Sequence, residues 1–290
     1  MRSRVLITGA TGGLGKAFAV DCAARGWDLM LTDLDDGSLA KLSRALWRTY
    51  GVKAGWFATD LTHPRSRSAL FQHLYAAPFR FHSLINVAGL DYEGIFLERR
   101  REELRKIIEL NLEATLDVTH ALLARRDPGR TFRIITVASL AAFFPMPVKA
   151  TYAASKRFLV DFSLALREEV KPLGATVTVL CPAGLPTTPK VIEAIEAQGF
   201  MGQLTTKNIG GVATQTLDQA LKGRAIYVPG ILNQTLRLLG SMLPARLVSW
   251  FVGRRWRAAH ARNPNGEPLL ETIGVVKDRI NEDELVAAPL

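Results

Sequence analysis

The sequence predicts an α/β fold, a doubly wound parallel sheet of about seven strands with helices on both faces, followed by a helical extension. Three observations carry this expectation. Short apolar runs alternate with longer amphipathic stretches through the first 230 residues. The runs are rich in Val, Ile, Leu and Thr, as strands buried on both faces require. Strand and helix alternating in this way build right-handed βαβ units. The 290 residues, 48% hydrophobic and 22% charged, can bury a full core without cross-links, and this composition excludes a disordered, collagen-like or disulfide-framework chain.

The first strand, Arg4–Thr8, runs into Thr8-Gly9-Ala10-Thr11-Gly12-Gly13-Leu14-Gly15, with a helix expected over Gly13–Arg25. A glycine-rich strand-to-helix turn lets backbone approach a pyrophosphate, and the helix N-terminus offers unpaired N–H groups to the anion. Gly9, Thr11, Gly13, Leu14 and Gly15 are therefore expected to cradle a dinucleotide. The second strand, Asp28–Thr32, leads to Asp33, about 20 residues beyond the loop, where a carboxylate takes the adenosine ribose hydroxyls. Such a carboxylate repels a 2′-phosphate, Asp35 and Asp36 add to the repulsion, and no arginine stands beside it. NAD is the expected cofactor in preference to NADP; the alternative role for Asp33 is to cap the following helix. The remaining strands are expected at Ala54–Ala58, Ser83–Val87, Phe132–Val137, Thr176–Leu180 and Arg224–Val228, and the helices at Leu39–Tyr50, Pro64–Tyr75, Glu102–Arg125 and Thr151–Lys171.

The glycine loop, Asn86-Val87-Ala88-Gly89, Ser139 and Tyr152-Ala153-Ala154-Ser155-Lys156 together resemble the short-chain dehydrogenase/reductase family over about Arg4–Val228. Ser139 stands thirteen residues before Tyr152, in the family's order. Gly9, Gly13 and Gly15 fit the family's compact form, while Gly9, Gly12 and Gly15 fit the extended sugar-nucleotide form. The chain length, the Asn86–Gly89 segment and Asn111 in Glu109-Leu110-Asn111-Leu112 favour the compact form, a single Rossmann-like domain. The resemblance implies a catalytic set of Asn111, Ser139, Tyr152 and Lys156. Tyr152 acts as general acid/base, Lys156 also holds the nicotinamide ribose, and Asn111 holds a water linking Lys156 to bulk proton exchange. It further implies that Asp60 with Leu61 lines the adenine pocket, although Asp60 could equally cap the next helix. Asn86, Ala88 and Gly89 let backbone pass close to the cofactor, and Thr187 bonds the carboxamide. In Pro182-Ala183-Gly184-Leu185-Pro186-Thr187, Ala183 replaces the family's glycine.

The chemistry follows from the side chains. Moving a hydride between an alcohol and nicotinamide requires a group that takes or gives the hydroxyl proton. A free phenol has a pKa of about 10. Lys156, one helical turn after Tyr152, places an ammonium on the same face, and with oxidised nicotinamide it is expected to favour the phenolate. A shift of about three units is worth about 4 kcal/mol and needs a desolvated site. Ser139 can bond and polarise the reacting oxygen.

The Ser139–Tyr152 connection carries Phe143, Phe144 and Met146 and has no charge before Lys149. The segment Thr188–Leu204, at the family's substrate lid, adds Ile192, Ile195, Phe200, Met201 and Leu204. These walls suit a lipophilic alcohol or ketone, steroid-like or long-chain acyl; alternatively they pack on one another as a cover. Two helices, Ile231–Leu243 and Pro244–Arg262, follow, and then a polar tail over 263–290, giving a division into 1–230, 231–262 and 263–290.

The net charge of +10 is concentrated here. No acidic residue lies between Asp218 and Glu267, whereas Lys222, Arg224, Arg237, Arg246, Arg254, Arg255, Arg257 and Arg262 do, and the rest of the chain carries +2. Leu247, Val248, Phe251, Val252 and Ala259 form an apolar stripe flanked by Trp250 and Trp256. The stripe suits either peripheral binding to an anionic membrane through residues 231–262 or packing on the domain or a second subunit. No motif accompanies the charges to suggest nucleic acid. Cys22 and Cys181 lack CxxC spacing, and His63, His73, His82, His120 and His260 lack ligand spacing, so no metal is expected.

The chain enters its glycine loop before a leader's hydrophobic region could form, and no apolar run reaches the roughly 18 residues of a spanning helix. A cytoplasmic homodimer or homotetramer, peripheral on a membrane at most, is expected. The leading functional reading is NAD-linked oxidoreduction of a secondary alcohol or ketone. Its rivals are an NADPH-dependent long-chain ketone or ketoacyl reductase and a non-catalytic NAD-binding membrane-associated protein. The intact Ser139, Tyr152 and Lys156 speak against the last.

Overall fold

The computed structural model describes residues 3–186, 207–242 and 244–260. Seven parallel strands form one sheet in the order β3-β2-β1-β4-β5-β6-β7. They are β1 (Arg4–Thr8), β2 (Asp28–Asp33), β3 (Ala54–Ala58), β4 (Ser83–Asn86), β5 (Phe132–Val137), β6 (Ala175–Leu180) and β7 (Ile226–Tyr227). The expected Arg224–Val228 strand contracts to a two-residue edge; the other strands match within a residue.

Alternate residues of the central strands feed two cores. On one face Val5, Ile7 and Leu31 pack with Phe18 and Cys22 of α1 (Gly13–Ala24), Leu39 and Leu46 of α2 (Asp36–Tyr50) and, at the far edge, Val212 and Leu217 of a later helix, Ile209–Leu221. On the other face Leu6, Leu84 and Ile134 pack with Leu70 and Leu74 of α3 (Pro64–Ala76) and, from the chain beyond β4, Val118 and Leu122. Burying a side chain of this size stabilises by about 2 kcal/mol. The helices thus cover both faces, as the apolar strands demand.

The stretch Glu102–Arg125, expected as one helix, is divided into α4 (Arg101–Ile108), a π turn over Glu109–Glu113, and α5 (Ala114–Ala124). The widened turn carries Asn111, which is completely buried and hydrogen-bonded to Leu90 and Ser155. Periodicity gives no sign of such an insertion, and π turns of this kind gather at functional sites. The chain continues through α6 (Ala150–Val170), α7 (Ile209–Leu221), α8 (Ile231–Met242) and α9 (Ala245–His260). The polar tail lies outside the described residues.

The strand order reverses between β1 and β4, and at such a switch point open α/β sheets bind ligands in the crevice over the C-terminal strand ends. Register sets its two walls: Thr8 at the end of β1 lies opposite Asn86 on β4 and Thr32 on β2.

Candidate active site

The Thr8 hydroxyl oxygen accepts the Val87 and Ala88 N–H groups at 3.1 and 3.2 Å, tying the glycine loop to the segment after β4. Gly9 has φ +63°, and a Cβ there would stand 2.8 Å from the Ala88 nitrogen; at Gly15 a Cβ would stand 2.0 Å from the Gly9 carbonyl oxygen. Neither position can carry a side chain. Among the described residues no side chain caps α1 and no acid sits in its first turn, which leaves the helix N-terminus open to an anion. Leu14 is buried in the core, so only its main chain can face the crevice.

Asp33 does not cap α2; Asp35 does, accepting the Ser38 N–H at 2.9 Å. Instead Asp33 Oδ2 accepts Thr11 N–H at 2.8 Å and the Thr11 hydroxyl at 2.7 Å, while Oδ1 accepts Leu34 N–H at 2.8 Å. The carboxylate therefore sits against the glycine loop at the end of β2. These tight glycines, the uncapped helix and the adjoining carboxylate suit a dinucleotide.

Asp60 also differs from a helix cap. Its Oδ1 accepts Thr62 N–H at 2.9 Å and the Thr62 hydroxyl at 2.6 Å, whereas His63 occupies the cap position of α3. Against the penalty of burial, the Thr62 bonds and the charges of His63 and Lys106 hold the Asp60 carboxyl below its usual range. The Leu61 side chain is in the core, and its carbonyl accepts the buried Arg67 Nη1 at 2.8 Å. Asn86 Nδ2 donates to Thr119 Oγ1 of α5 at 3.0 Å, so its side chain is committed to the interior. Thr187 and the segment Thr188–Leu204 lie outside the described residues.

The predicted catalytic residues converge beside this crevice. Ser139 follows β5, and its oxygen accepts Ala141 N–H at 3.1 Å. Tyr152 lies in the first turn of α6. Lys156, a turn later and 4% exposed, donates from Nζ to the Val137 carbonyl at 3.0 Å and stands 5.7 Å from the Tyr152 ring centroid. A Cβ on Gly89 would lie 3.2 Å from both Lys156 Nζ and Asn111 Oδ1, so this glycine is the point where both side chains meet the main chain. Asn111 Oδ1 accepts Leu90 N–H at 2.8 Å, and Nδ2 donates to the Leu90 carbonyl at 3.1 Å and to Ser155 Oγ at 3.0 Å. The Ser155 hydroxyl in turn donates to the Tyr152 carbonyl at 2.7 Å.

Loss of water around its hydroxyl, and then the Asp91 charge, push the Tyr152 phenol above its ordinary value; Ser139 and the Lys149 charge pull it back. Lys149 thus stands beside the expected Lys156, whose ammonium donates to the Val137 carbonyl. Burial lowers Lys156 itself to about 8, against the opposing pull of Asp91 and Cys181.

Sequence reasoning missed Thr8, Ser155 and the group Asp91, Glu93 and Lys149. Thr8 stood inside the motif and Lys149 was the first charge on an apolar connection, but its partners lie more than fifty residues away. The Phe143–Phe144 wall is partly a cover. A Cβ on Gly240 of α8 would fall 2.4 Å from the Phe144 ring, and the Arg237 guanidinium stands 5.2 Å from the Phe143 centroid. On α9 the expected stripe does not pack as a unit: Val248 is buried and Val252 half-buried, while Leu247 and Phe251, with the flanking Trp250, are exposed.

Residues 3–197 match the short chain dehydrogenase family model. The chain is 32% identical over 174 residues to the very-long-chain 3-oxoacyl-CoA reductase of Coprinopsis cinerea, covering 59% of this chain and 51% of that protein. It is 28% identical over 242 residues to the 3-oxoacyl-acyl-carrier-protein reductase of Escherichia coli, covering 82% and 96%. It thus spans about half the length of the first of these curated relatives. A short-chain dehydrogenase from Sphingobium yanoikuyae in complex with NADPH superposes with a TM-score of 0.70 at 27% identity, over 83% of this chain and 96% of that one. A sheet of this topology with its crevice at the β1/β4 switch point is the frame of a nucleotide-binding α/β protein. The chain belongs to the short chain dehydrogenase family.

Proposed function

We propose that the protein exchanges a hydride between NAD(H) and a secondary alcohol or ketone on a lipophilic substrate, steroid-like or long-chain acyl, with Tyr152 as general acid/base. The observation that carries this reading is the buried Lys156 ammonium 5.7 Å from the Tyr152 ring, next to a cradle in which two glycines admit no side chain. When bound, nicotinamide supplies or accepts the hydride. Ser139 holds and polarises the substrate oxygen, and Tyr152 transfers its proton. Lys156 holds the ribose and supplies a cation on the proton's path. Asn111 and Ser155 fix the first turn of α6, and with it the phenol. The names of the two curated relatives, both 3-oxoacyl reductases, support reduction of a ketone and an acyl substrate.

The Asp33 carboxylate beside Thr11 supports NAD, because a 2′-phosphate would meet its charge. The NADPH bound by the Sphingobium yanoikuyae relative favours the second reading, an NADPH-dependent ketone or ketoacyl reductase. One experiment separates these readings. Dissociation constants for NADH and NADPH are measured by nucleotide fluorescence, and turnover is followed with hydroxysteroids, long-chain alcohols and ketoacyl thioesters, for the native chain and for Tyr152→Phe. The expected result is tighter NADH binding, and a loss of about a thousandfold in turnover in the Phe variant with NADH binding unchanged. Tighter NADPH binding transfers the conclusion to the second reading. An active Phe variant removes the acid/base role, and a native chain inactive on every class supports a non-catalytic nucleotide-binding role.

The C-terminal helices supply a surface for lipid delivery. Leu238 and Leu239 on α8 and Leu247, Trp250 and Phe251 on α9 are exposed, with Arg246 and Arg254 exposed among them. Among the described residues no helix is long and apolar enough to cross a membrane. Apolar side chains flanked by arginines suit the interface of an anionic bilayer. The native chain is expected to float with phosphatidylserine vesicles, and Trp250→Glu with Phe251→Glu to stay in the dense fraction while still binding dinucleotide. Equal flotation of both proteins would refute the surface.

A further inference from the structure

Two ammonium groups, not one, flank the Tyr152 ring. Lys156 stands 5.7 Å from its centroid and Lys149 stands 5.8 Å from it. Lys149 is held from across the active-site mouth: its Nζ lies 2.6 Å from Asp91 Oδ2 and 2.9 Å from Glu93 Oε2. Both acids belong to the loop after β4, and the same two segments are joined again by Gly94 N–H donating to the Val148 carbonyl at 2.9 Å. Val148, the residue before Lys149, has φ +62° and is buried. A β-branched residue in the left-handed region is strained by about 1–3 kcal/mol and persists only where its surroundings over-determine it. Here the strain lies at the turn that leads into Lys149 and the first turn of α6.

We propose that Lys149, clamped by Asp91 and Glu93, is a positioning residue that sets the electrostatic environment of the Tyr152 hydroxyl and makes its proton transfer depend on the loop after β4. The inference rests on the acid/base role proposed for Tyr152. The clamp carries opposing charges: the Lys149 ammonium favours the phenolate, and the Asp91 carboxylate favours the neutral phenol. The other groups around the ring are accounted for. Ser139 accepts the Ala141 N–H, Glu93 is engaged on Lys149, and Lys156 is held at the Val137 carbonyl. Cys181, behind Lys156, is a buried thiol pushed up to about 12, and Arg237 of α8 acts on it rather than on the phenol.

This arrangement has a signature that loss of packing does not have. Removing the cation and removing the facing carboxylate should move the phenol in opposite directions. The five tyrosines of the full chain are replaced biosynthetically by difluorotyrosine, whose phenol ionises near neutrality. The Tyr152 fluorine resonance is identified by its absence in Tyr152→Phe and titrated without any ligand. Lys149→Met is expected to raise the midpoint by about one pH unit and Asp91→Asn to lower it by a similar amount, the scale of a single nearby charge. Lys149→Arg keeps the native midpoint. Should Lys149→Met fail to fold, the downward shift in Asp91→Asn alone carries the test. Shifts of the same sign, or none, overturn the clamp whether or not Tyr152→Phe is inactive. An active Tyr152→Phe overturns the role of Tyr152 instead, so the two failures are distinguishable.

Discussion

Two sets of loops leave the C-terminal edge of this sheet, and they are held by different forces. Those after β1 and β2 are fixed by short neutral donors and close backbone contact: Thr8 binds two amides, Thr11 gives both its donors to Asp33, and Gly9 and Gly15 pack without room for a Cβ. Those that carry the chemistry are fixed by charge, with Lys149 between Asp91 and Glu93 and Lys156 buried beneath Tyr152. The first arrangement makes a shape set by close packing. The second stays responsive to protons, because each fixed side chain also changes the field at its neighbours. A site that must hold one ligand and move one proton needs both.

The largest effect is expected where the first kind of wall is broken. In Gly15→Ala the new Cβ would lie 2.0 Å from the Gly9 carbonyl oxygen, a main-chain atom that cannot turn aside. Overpacking of this kind costs about 3 kcal/mol. The glycine loop must then swing away from the Ala88 segment. Thermal unfolding should shift down by several degrees, and dinucleotide affinity should fall at least about tenfold. An unchanged dissociation constant would mean that the loop is more yielding than its contacts indicate, and the contrast between the two walls would fail.

The same contrast governs how much could be read from the sequence. The seven strands, the α1 cradle and the Ser139–Tyr152–Lys156 set were legible, because their signals are local: apolar runs, glycines at a strand–helix junction and a helical spacing of four. The role of Asp33 was half legible. Its place at the end of β2 followed from spacing, but its bonds to Thr11 depend on strand register, and the capping role passed to Asp35 two residues on. The π turn at Asn111 was not legible, since an inserted residue leaves the polarity pattern of Glu109–Glu113 unchanged. The Lys149 clamp was invisible for another reason. An ion pair between loops more than fifty residues apart has no sequence period, whereas the spacing of four that joins Tyr152 to Lys156 does. The α8 cover over Phe144 depends on Gly240, which within a helix reads as a weakness and proves to be a seat for an aromatic ring.

Gly89 lies where the two walls meet and gives a smaller, sharper test. Its alanine Cβ would lie 3.2 Å from Asn111 Oδ1 on one side and from Lys156 Nζ on the other, so one of them must give by a few tenths of an ångström. Asn111 is locked by three hydrogen bonds inside the π turn, whereas Lys156 ends a flexible chain with one bond to Val137. Lys156 should therefore move. A displacement of that size at a group beside the reacting proton costs about threefold in kcat, and the fold should lose less than about 1 kcal/mol. Gly89→Ala is expected to show this lowered kcat with the dinucleotide dissociation constant nearly unchanged. If affinity falls instead and kcat holds, Asn111 and the loop after β4 have moved, and the wall described as fixed by charge is the stiffer of the two.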